Sequence, residues 1–121
     1  MIGIGTDLVE LDRFRTALAR TPSLAARLFS DDERAYAGLR ADPTERLAVR
    51  FAAKEAVMKA LGVGLGAFAL RDVEVIRTDA GQPALVLSGR AAELAAERGV
   101  RVWHLTLTHT ESLAQAIAVA L

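Results

Sequence analysis

The first residues of the chain alternate in the way that predicts a β-strand. One face of this strand consists of Ile2, Ile4, Thr6 and Leu8, and the other of Gly3, Gly5, Asp7 and Val9. Because glycine carries no side chain, no side chains project from the two positions that precede Asp7 on its face of the strand. Asp7 is an acid in an otherwise apolar strand, and a buried carboxylate is costly unless it is paired, hydrogen-bonded or bound to a metal.

Helical spacing and capping signals predict three helices after this strand. Leu11, Phe14 and Leu18 share one helical face, and Pro22 interrupts or restarts that helix near residue 21. Residues 30–33, Ser-Asp-Asp-Glu, match a capping box that opens a short helix.

The longest predicted helix begins at residues 42–45. This Asp-Pro-Thr-Glu segment combines a capping Asp, a Pro at the first helical position and a Glu three residues after the cap. We expect the helix to run to about Leu61 and to stop at Gly62.

The second half of the chain alternates between strand and helix patterns. Strands are predicted at 73–76, 84–87, 100–108 and 113–121, and a helix is predicted at 90–98. A hairpin turn joins the first two of these strands, and Gly99 ends the helix. This order predicts an α+β fold in which a mainly antiparallel sheet packs with the long central helix.

Composition narrows the class of protein. The 121 residues are enough for one hydrophobic core, so we expect a single domain over residues 1–121. Lys and Arg number 15, as do Asp and Glu, so net charge favours neither nucleic acid nor an acidic membrane as a partner. Cysteine is absent, which excludes disulfides and thiolate metal sites. The sequence shows no signal-peptide pattern and no uncharged apolar run of about 20 residues, so we expect a cytoplasmic protein.

A row of cations lies beside the predicted core-facing stripe of the long helix. Leu47, Phe51 and Met58 form the stripe. The row, at positions i, i+4 and i+8, consists of Arg46, Arg50 and Lys54. Such a row could hold an anion such as phosphate. The alternative is a set of snorkelling side chains, or pairs with acids elsewhere in the fold.

Glu55 and Lys59 lie four residues apart on the other edge of the stripe. Taken alone, they are typical of an exposed ion pair. Together with Asp7, however, Glu55 could hold Mg²⁺, which takes one or two protein carboxylates plus substrate phosphates and water. Whether the strand and the helix bring these carboxylates together is a question of tertiary structure.

The loop at residues 62–66 and His109 can each be interpreted in more than one way. The loop at residues 62–66 lacks a following Lys-Ser/Thr and comes after a helix, so it is neither a P-loop nor a dinucleotide fingerprint. A helix cap with a flexible turn explains it in isolation. His109 shares the alternating phase of Trp103, Leu105 and Leu107, so it ends a face that looks buried, where a structural or a functional histidine would fit.

Three segments, in order along nearly the whole chain, resemble the holo-acyl-carrier-protein synthases, the short single-domain class of phosphopantetheinyl transferases. They are GIGTDLVE at residues 3–10 with Arg13 and Phe14, RFAAKEA at 50–56 with KALG at 59–62, and LTHT at 107–110 before an Ala-rich last strand. The GQP turn at residues 81–83 matches as well.

The sequence departs from the family pattern at two positions. Val63 stands where the family often has the Thr of Gly-Thr-Gly, so a hydroxyl contact there is lost. Thr108 stands where the family often has Ser before His109, which keeps the hydroxyl. Neither departure changes an acidic or a basic residue, so we expect activity to be retained.

The resemblance implies a Mg²⁺-dependent enzyme that transfers the 4'-phosphopantetheine arm of coenzyme A to a serine of apo acyl carrier protein, releasing adenosine 3',5'-bisphosphate. It implies that Asp7 and Glu55 bind Mg²⁺, and that Glu55 or a metal-bound water accepts the serine proton. Lys59 is implied both as a catalytic residue and as a phosphate contact. The other implied coenzyme A-binding residues are Arg50, Lys54, Gly64, Thr108 and His109.

The resemblance also implies partners and a metabolic setting. It implies a homotrimer with coenzyme A held between subunits, and a role in fatty acid biosynthesis and lipid metabolism, while a polyketide carrier protein stays open. Arg13, Arg20 and Arg27 recur every seven residues, and they form one basic stripe if the helix continues past Pro22. This stripe would dock an acidic carrier protein; the alternative is a solvated helix face.

Two other classes of function stay open. The first is a non-catalytic module that binds coenzyme A or a similar nucleotide through the basic row, with Asp7 and Glu55 paired structurally. The second is an oligomeric scaffold. Magnesium dependence of turnover distinguishes the enzyme from both.

Overall fold

The computed structural model describes all residues 1–121 and contains five α-helices, a short 3-10 helix at Leu70–Asp72 and five strands. In chain order the α-helices and strands are β1 (Gly3–Glu10), α1 (Leu11–Arg20), α2 (Leu24–Leu28), α3 (Asp31–Ala37), α4 (Thr44–Ala60), β2 (Val73–Arg77), β3 (Pro83–Leu87), α5 (Gly89–Glu97), β4 (Trp103–His109) and β5 (Leu113–Ala120). One antiparallel sheet has the order β1-β5-β4, and β2 and β3 form a separate antiparallel hairpin. The predicted α+β fold with antiparallel strands around a long central helix is confirmed.

Local signals set the ends of the helices as the sequence predicted. The Ser30 hydroxyl accepts from the Glu33 N–H, and the Glu33 carboxylate accepts from the Ser30 N–H, which completes the capping box of α3. Asp42 accepts from the Thr44 N–H at 3.0 Å just before α4, although Pro43 is the N-cap residue and not the first helical residue that the sequence predicted. Just beyond α4, Gly62 has φ of 72°, the left-handed conformation typical of a glycine after a helix.

The condition for one basic stripe along α1 and α2 fails. α1 ends at Arg20 and α2 begins only at Leu24, with Pro22 in the break between them. The two helices are separate, so Arg13, Arg20 and Arg27 do not share a continuous helical face. All three side chains are exposed.

Close packing against two strands makes α4 the centre of the fold. A Cβ at Gly3 would lie 1.9 Å from the Ala60 carbonyl oxygen, and one at Gly5 would lie 1.9 Å from that of Ala56. Only glycine therefore allows β1 to approach α4 this closely. The buried face of β5 is built from small side chains, Ala114, Ala116, Ala118 and Ala120.

The prediction of a single core-facing stripe on α4 is wrong, because the helix is enclosed on nearly all sides. The sheet covers one side, and α1, α3 and β2 pack on others. Arg50 is 4% exposed and Lys54 is 0% exposed, so the cationic row is largely inside the protein. Phe51, expected in the stripe, is only half-buried.

The face of the three-stranded sheet that turns away from α4 carries exposed apolar side chains on β1. On β1, Ile4 is 58% exposed and Leu8 is 60% exposed. Ile4 pairs with Val119 of β5, and Ile117, two residues before Val119, lies on the same face. This face is available for contact with another apolar surface.

Candidate active site

Two carboxylates, Asp7 of β1 and Glu55 of α4, line the same groove. The Lys59 ammonium donates to Asp7 Oδ1 at 3.2 Å and to the Thr6 backbone oxygen at 2.9 Å. The tight contact at Gly5 holds β1 against α4 beside these residues. The structure therefore brings the acidic pair together, and it pairs Lys59 with the strand acid.

The electrostatics of this acidic pair suit a bound cation. Burial, together with the charge of Asp7, raises the pKa of Glu55, while Lys59 acts in the opposite direction. A divalent cation would relieve the repulsion between the two carboxylates. No group of three or more Asp, Glu, His or Cys side chains in the structure could hold a metal. Mg²⁺ at Asp7 and Glu55 would thus need substrate phosphates and water as further ligands, which is its usual behaviour in proteins.

An apolar groove of about 490 Å³ extends from the two carboxylates. Phe14 and Phe51 form part of its floor, with ring centroids 5.3 Å apart. Leu8 and Leu65 line it as well, and Leu65 is 82% exposed on the glycine-containing loop that follows α4. Arg13 also lines this groove, so a cation lies beside both the apolar lining and the acidic pair.

A second cavity, of about 270 Å³, is strongly basic. Its charged lining consists of four arginines, one glutamate and one histidine: Arg40, Arg46, Arg50, Arg77, Glu45 and His109. The arginines outnumber the single carboxylate, so the cavity attracts anions. Glu45 contacts two of these cations or potential cations, at 3.4 Å from Arg40 and 3.4 Å from His109 Nδ1.

Tyr36 organises the arginines of this basic cavity. The guanidinium carbons of Arg46, Arg50 and Arg77 lie 4.0, 4.6 and 5.7 Å from the centre of its ring. Arg46 also donates to the Tyr36 carbonyl oxygen at 2.8 Å. Arg50 donates to the Arg46 carbonyl oxygen, while its buried Nε has no hydrogen-bond partner. The stacked guanidinium groups are held in place by contacts that leave donors free for an anion.

The structure places Lys54, which the resemblance implies as a coenzyme A contact, inside the protein. Its side chain is 0% exposed, and its ammonium lies 2.8 Å from Glu33 Oε1, which is also 0% exposed. The same ammonium donates to the backbone oxygens of Leu70 and Val73. An ammonium enclosed by three acceptors inside the protein has no free direction toward a ligand.

The other residues implied by the resemblance lie in different places. His109 lines the basic cavity, whereas Thr108, one position earlier on β4, lies on the opposite face of the sheet and is not among the lining residues. Gly64 is exposed in the loop after α4, with no atom within 4 Å of an added Cβ. Of the three spaced arginines, Arg13 lines the acidic groove, and Arg20 and Arg27 line neither this groove nor the basic cavity.

The acidic groove and the basic cavity lie on opposite sides of α4. Arg46 and Glu55 are separated by nine positions, which at roughly 100° per residue places them about 180° apart around the helix. The two cavities share no lining residue. A ligand that contacts both from one copy of the chain would have to pass around the central helix.

Sequence reasoning missed Tyr36, Arg40 and Arg77. The helical row pointed to Arg46 and Arg50, but no spacing relates them to a tyrosine at the end of α3 or to an arginine at the end of β2. The only available signal for Arg77 was its position just before the turn at residues 81–83. These three residues join the cavity only through the packing of α3, β2 and the segment before α4 around Arg50.

Known proteins resemble this chain over nearly its whole length. The family model described as the 4'-phosphopantetheinyl transferase superfamily matches residues 3–118. A holo-[acyl-carrier-protein] synthase of Frankia casuarinae is 47% identical over 120 residues, covering 99% of this chain and 97% of the relative. The crystal structure of holo-[acyl-carrier-protein] synthase from Neisseria meningitidis has a TM-score of 0.91 at 30% identity, covering 100% of this chain and 98% of that one. The Bacillus anthracis holo-(acyl-carrier-protein) synthase, solved in complex with CoA (3',5'-ADP), has a TM-score of 0.81 at 34% identity, covering 98% and 95%.

Proposed function

The chain belongs to the 4'-phosphopantetheinyl transferase superfamily, and we propose that it is a Mg²⁺-dependent enzyme that transfers the 4'-phosphopantetheine arm of coenzyme A to a serine of an apo acyl carrier protein. The products are the holo carrier protein and adenosine 3',5'-bisphosphate. The similarity to a protein solved in complex with CoA supports coenzyme A as the donor. The likeness to holo-[acyl-carrier-protein] synthases along almost the full chain supports the carrier protein as the acceptor, within one domain over residues 1–121. We place the reaction in the cytoplasm, where coenzyme A is available; no helix of the structure is long and apolar enough to cross a membrane.

The acidic groove supplies the groups for the chemical step. Asp7 and Glu55 would hold Mg²⁺, which when bound would bind the pyrophosphate and offset charge that develops on it during transfer. Glu55, or a water bound to the metal, would accept the proton of the attacking serine. Lys59 offers a half-exposed ammonium at the rim of the same groove and would contact a phosphate oxygen.

The basic cavity supplies the groups that bind the nucleotide end of coenzyme A. Arg46, Arg50 and Arg77 offer guanidinium groups around Tyr36, and a phosphate monoester accepts several such donors at once. His109 lies at the wall of this cavity and would contact the nucleotide. For Gly64 and Thr108, a role in coenzyme A binding is supported only by the family pattern, since neither residue lines the cavity.

The groove beside Arg13 suits the carrier protein and the arm. Arg13 provides positive charge for an acidic partner, and the apolar lining formed by Leu8, Phe14 and Phe51 accepts a methylene-rich chain or an apolar side chain. Arg20 at the end of α1 and Arg27 in α2 are exposed on either side of the break at Pro22, so we keep them as outer contacts only.

The positions of the two cavities support the shared site that we propose in a homotrimer. Because they lie on opposite sides of α4, coenzyme A would reach the basic cavity of one copy and the carboxylates of a second copy. The exposed apolar sheet face around Ile4 and Leu8 offers a surface through which copies could associate. Native mass spectrometry tests this; a monomer that turns over coenzyme A would exclude the shared site.

The pairing of Asp7 and Glu55 in one groove is the observation that carries the proposed reaction. The experiment mixes the protein with coenzyme A, Mg²⁺ and apo acyl carrier protein, and measures the carrier protein by intact mass spectrometry. We expect the mass of one added arm, its loss with a chelator and its return when Mg²⁺ is restored. Coenzyme A binding without any transfer would instead establish the non-catalytic module, and neither binding nor transfer would leave the scaffold.

A further inference from the structure

The buried ion pair between Lys54 and Glu33 has no place in the chemistry proposed above. Both side chains are 0% exposed, and burial lowers the pKa of Lys54, an effect that the charge of Glu33 opposes. A buried ion pair is weak support for stability, because the desolvation of both charges offsets their attraction. The contribution of this pair must therefore come from the elements that it connects.

The pair ties three elements together. Lys54 of α4 donates to Glu33 of α3 and to the backbone oxygen of Val73 at the start of β2. The second oxygen of Glu33 accepts from the Val75 N–H of β2 at 2.9 Å. The Ser30 hydroxyl of the α3 capping box donates to Glu74, also on β2. One polar cluster therefore fixes α3, α4 and β2 relative to each other.

Each of the anchor residues Glu33, Lys54 and Val75 is followed or preceded, one helical turn or two strand positions away, by a residue that lines the basic cavity. Tyr36 follows Glu33 by three residues on α3, and Arg50 precedes Lys54 by four on α4. Arg77 follows Val75 by two on β2. Residues at these spacings share a helix face or a strand face, so fixing the anchors also fixes the side chains around the cavity.

The polar cluster and the basic cavity also border a common space. A smaller cavity of about 240 Å³ is lined by Glu33 together with Tyr36, Arg50 and Arg77. Glu33 therefore faces the same space as these three side chains, and its negative charge acts on Arg50. In contrast, Asp7 and Glu55 are held by the contact of β1 with α4, on the other side of the helix.

We infer that Lys54 and Glu33 are positioning residues that hold Tyr36, Arg50 and Arg77 in the geometry that binds the phosphates of coenzyme A. This inference rests on the proposed function, because it assigns the basic cavity to coenzyme A. It gives the buried lysine a part in substrate affinity without any contact with the substrate. The chemical step is served by separate residues, so affinity and turnover should respond differently.

The main test replaces the charged pair with a neutral one, in the double variant Glu33→Gln with Lys54→Met. Gln keeps an oxygen that accepts from the Val75 N–H, and Met keeps the volume of the lysine stem, while the Ser30 N–H and the backbone oxygens of Leu70 and Val73 lose their charged partner. We expect the KM for coenzyme A to rise about tenfold or more as the arginines lose their alignment, with kcat within about threefold of the unmodified enzyme. Circular dichroism and thermal melting check the fold.

A matched control separates positioning from loss of stability. Leu94→Ala removes a buried side chain of α5, which lines neither cavity, and should lower the melting temperature without changing the KM for coenzyme A. Glu33→Asp, which keeps the charge but shortens its reach, is the second variant and should raise the KM by a smaller factor. An unchanged KM in the folded double variant, or in folded Glu33→Asp, overturns the inference.

A measurement on the unmodified protein completes the test. The Val75 N–H donates to the Glu33 carboxylate. Because coupling between a binding site and its support is reciprocal, binding of adenosine 3',5'-bisphosphate should slow hydrogen exchange at this N–H. Slower exchange supports the inference, and unchanged exchange at a saturating ligand concentration contradicts it. If the unmodified protein fails to bind coenzyme A or to transfer the arm, the proposed function itself fails, which is a different result from intact transfer with an insensitive KM.

Discussion

The Lys59 ammonium lies 3.2 Å from Asp7 Oδ1, so the acid that we assign to Mg²⁺ has a cationic partner within the chain. Lys59 is about half exposed, and Asp7 is 17% exposed at its side chain. An incoming metal ion must therefore share or displace this ammonium. We expect Lys59 to turn from Asp7 to a phosphate oxygen when the substrate binds.

Lys59→Met should affect metal binding and turnover in opposite directions. Removing the ammonium removes a positive charge beside Asp7, so Mg²⁺ should bind more tightly in the absence of coenzyme A. Turnover should fall about tenfold to a hundredfold, because a charge-assisted hydrogen bond to phosphate is lost. Calorimetric titration with Mg²⁺ and steady-state kinetics measure the two effects. Lys59→Arg, which keeps the charge, is the control, and a parallel fall in metal affinity and turnover would contradict the arrangement.

Glu55→Gln should abolish transfer while stabilising the protein. The pKa of Glu55 is raised by burial and by Asp7, so its ionised form is less favourable in the folded protein than in the unfolded chain. The stability of the unmodified protein therefore falls as pH rises from the unfolded pKa, about 4.3, through the raised folded value. The Gln side chain does not ionise, so the Glu55→Gln variant does not lose stability in this pH range.

Thermal melts across pH, with a chelator present, test this sign. We expect the variant to melt at a higher temperature than the unmodified protein at neutral pH, and the two to converge below about pH 4. Asp7→Asn provides a comparison, because it also removes the repulsion but breaks the pair with Lys59. A variant that is less stable at neutral pH, or that still transfers the arm at ordinary Mg²⁺, would be inconsistent with this assignment.

Substitution of the stacked arginines should weaken coenzyme A binding. Arg46→Gln and Arg50→Gln each remove a guanidinium from the basic cavity while keeping an amide that can hydrogen-bond. We expect the dissociation constant for coenzyme A to rise about tenfold to a hundredfold. Arg90→Gln on α5, where the arginine pairs with Glu93, serves as the control and should leave binding unchanged. Calorimetry measures the affinity, and equal binding by all three variants would remove the basic cavity from the site.

Charge reversal at Arg13 should act on the carrier protein and spare coenzyme A. Arg13 lines the groove beside Glu55, so Arg13→Glu places a like charge before an acidic partner. The KM for the carrier protein should rise, and the defect should deepen as ionic strength falls, because less of the repulsion is screened. Arg20→Glu and Arg27→Glu should have smaller effects, since these residues line neither the acidic groove nor the basic cavity. Kinetics at several salt concentrations decide the matter; a salt-independent KM in Arg13→Glu would rule out docking there.

Gly5→Ala should damage both stability and activity. The new Cβ would meet the Ala56 carbonyl oxygen at 1.9 Å, so β1 must move away from α4. Such overpacking costs about 1–3 kcal/mol or more of unfolding free energy, and it should displace Asp7 from Glu55. Denaturant unfolding and a transfer assay measure the two losses. Gly64→Ala, with open space around the added Cβ, is the control for stability alone and should unfold at nearly the unmodified denaturant concentration.

Features that depend on neighbours in the chain were predictable from the sequence. The Ser30 capping box, the hydrogen bond from the Thr44 N–H to Asp42 and the left-handed Gly62 each rest on backbone groups only a few residues away. The break at Pro22 is equally local, because proline lacks the N–H that a helix interior needs. The family pattern added the roles of Asp7 and Glu55, which no local rule assigns.

Lys54 shows where this reasoning fails. On a helical wheel it lies beside Arg50 and at the edge of the apolar stripe, and so it resembles a third phosphate ligand. Its true partner is Glu33, 21 positions earlier on another helix. Periodicity describes one helix at a time, while burial on several sides depends on which other elements close around that helix.

The sequence by itself determined the order and type of the elements and the family to which the chain belongs. It also supplied the glycines that let β1 contact α4. Tertiary structure alone decided which charges meet: Lys59 pairs with Asp7, Lys54 pairs with Glu33, and Tyr36 gathers Arg46, Arg50 and Arg77. The physical reason is the distance along the chain over which each kind of interaction acts. Capping and turn preferences act over a few residues of one backbone, whereas an ion pair or a stacked ring depends on the packing of segments that are far apart in the chain.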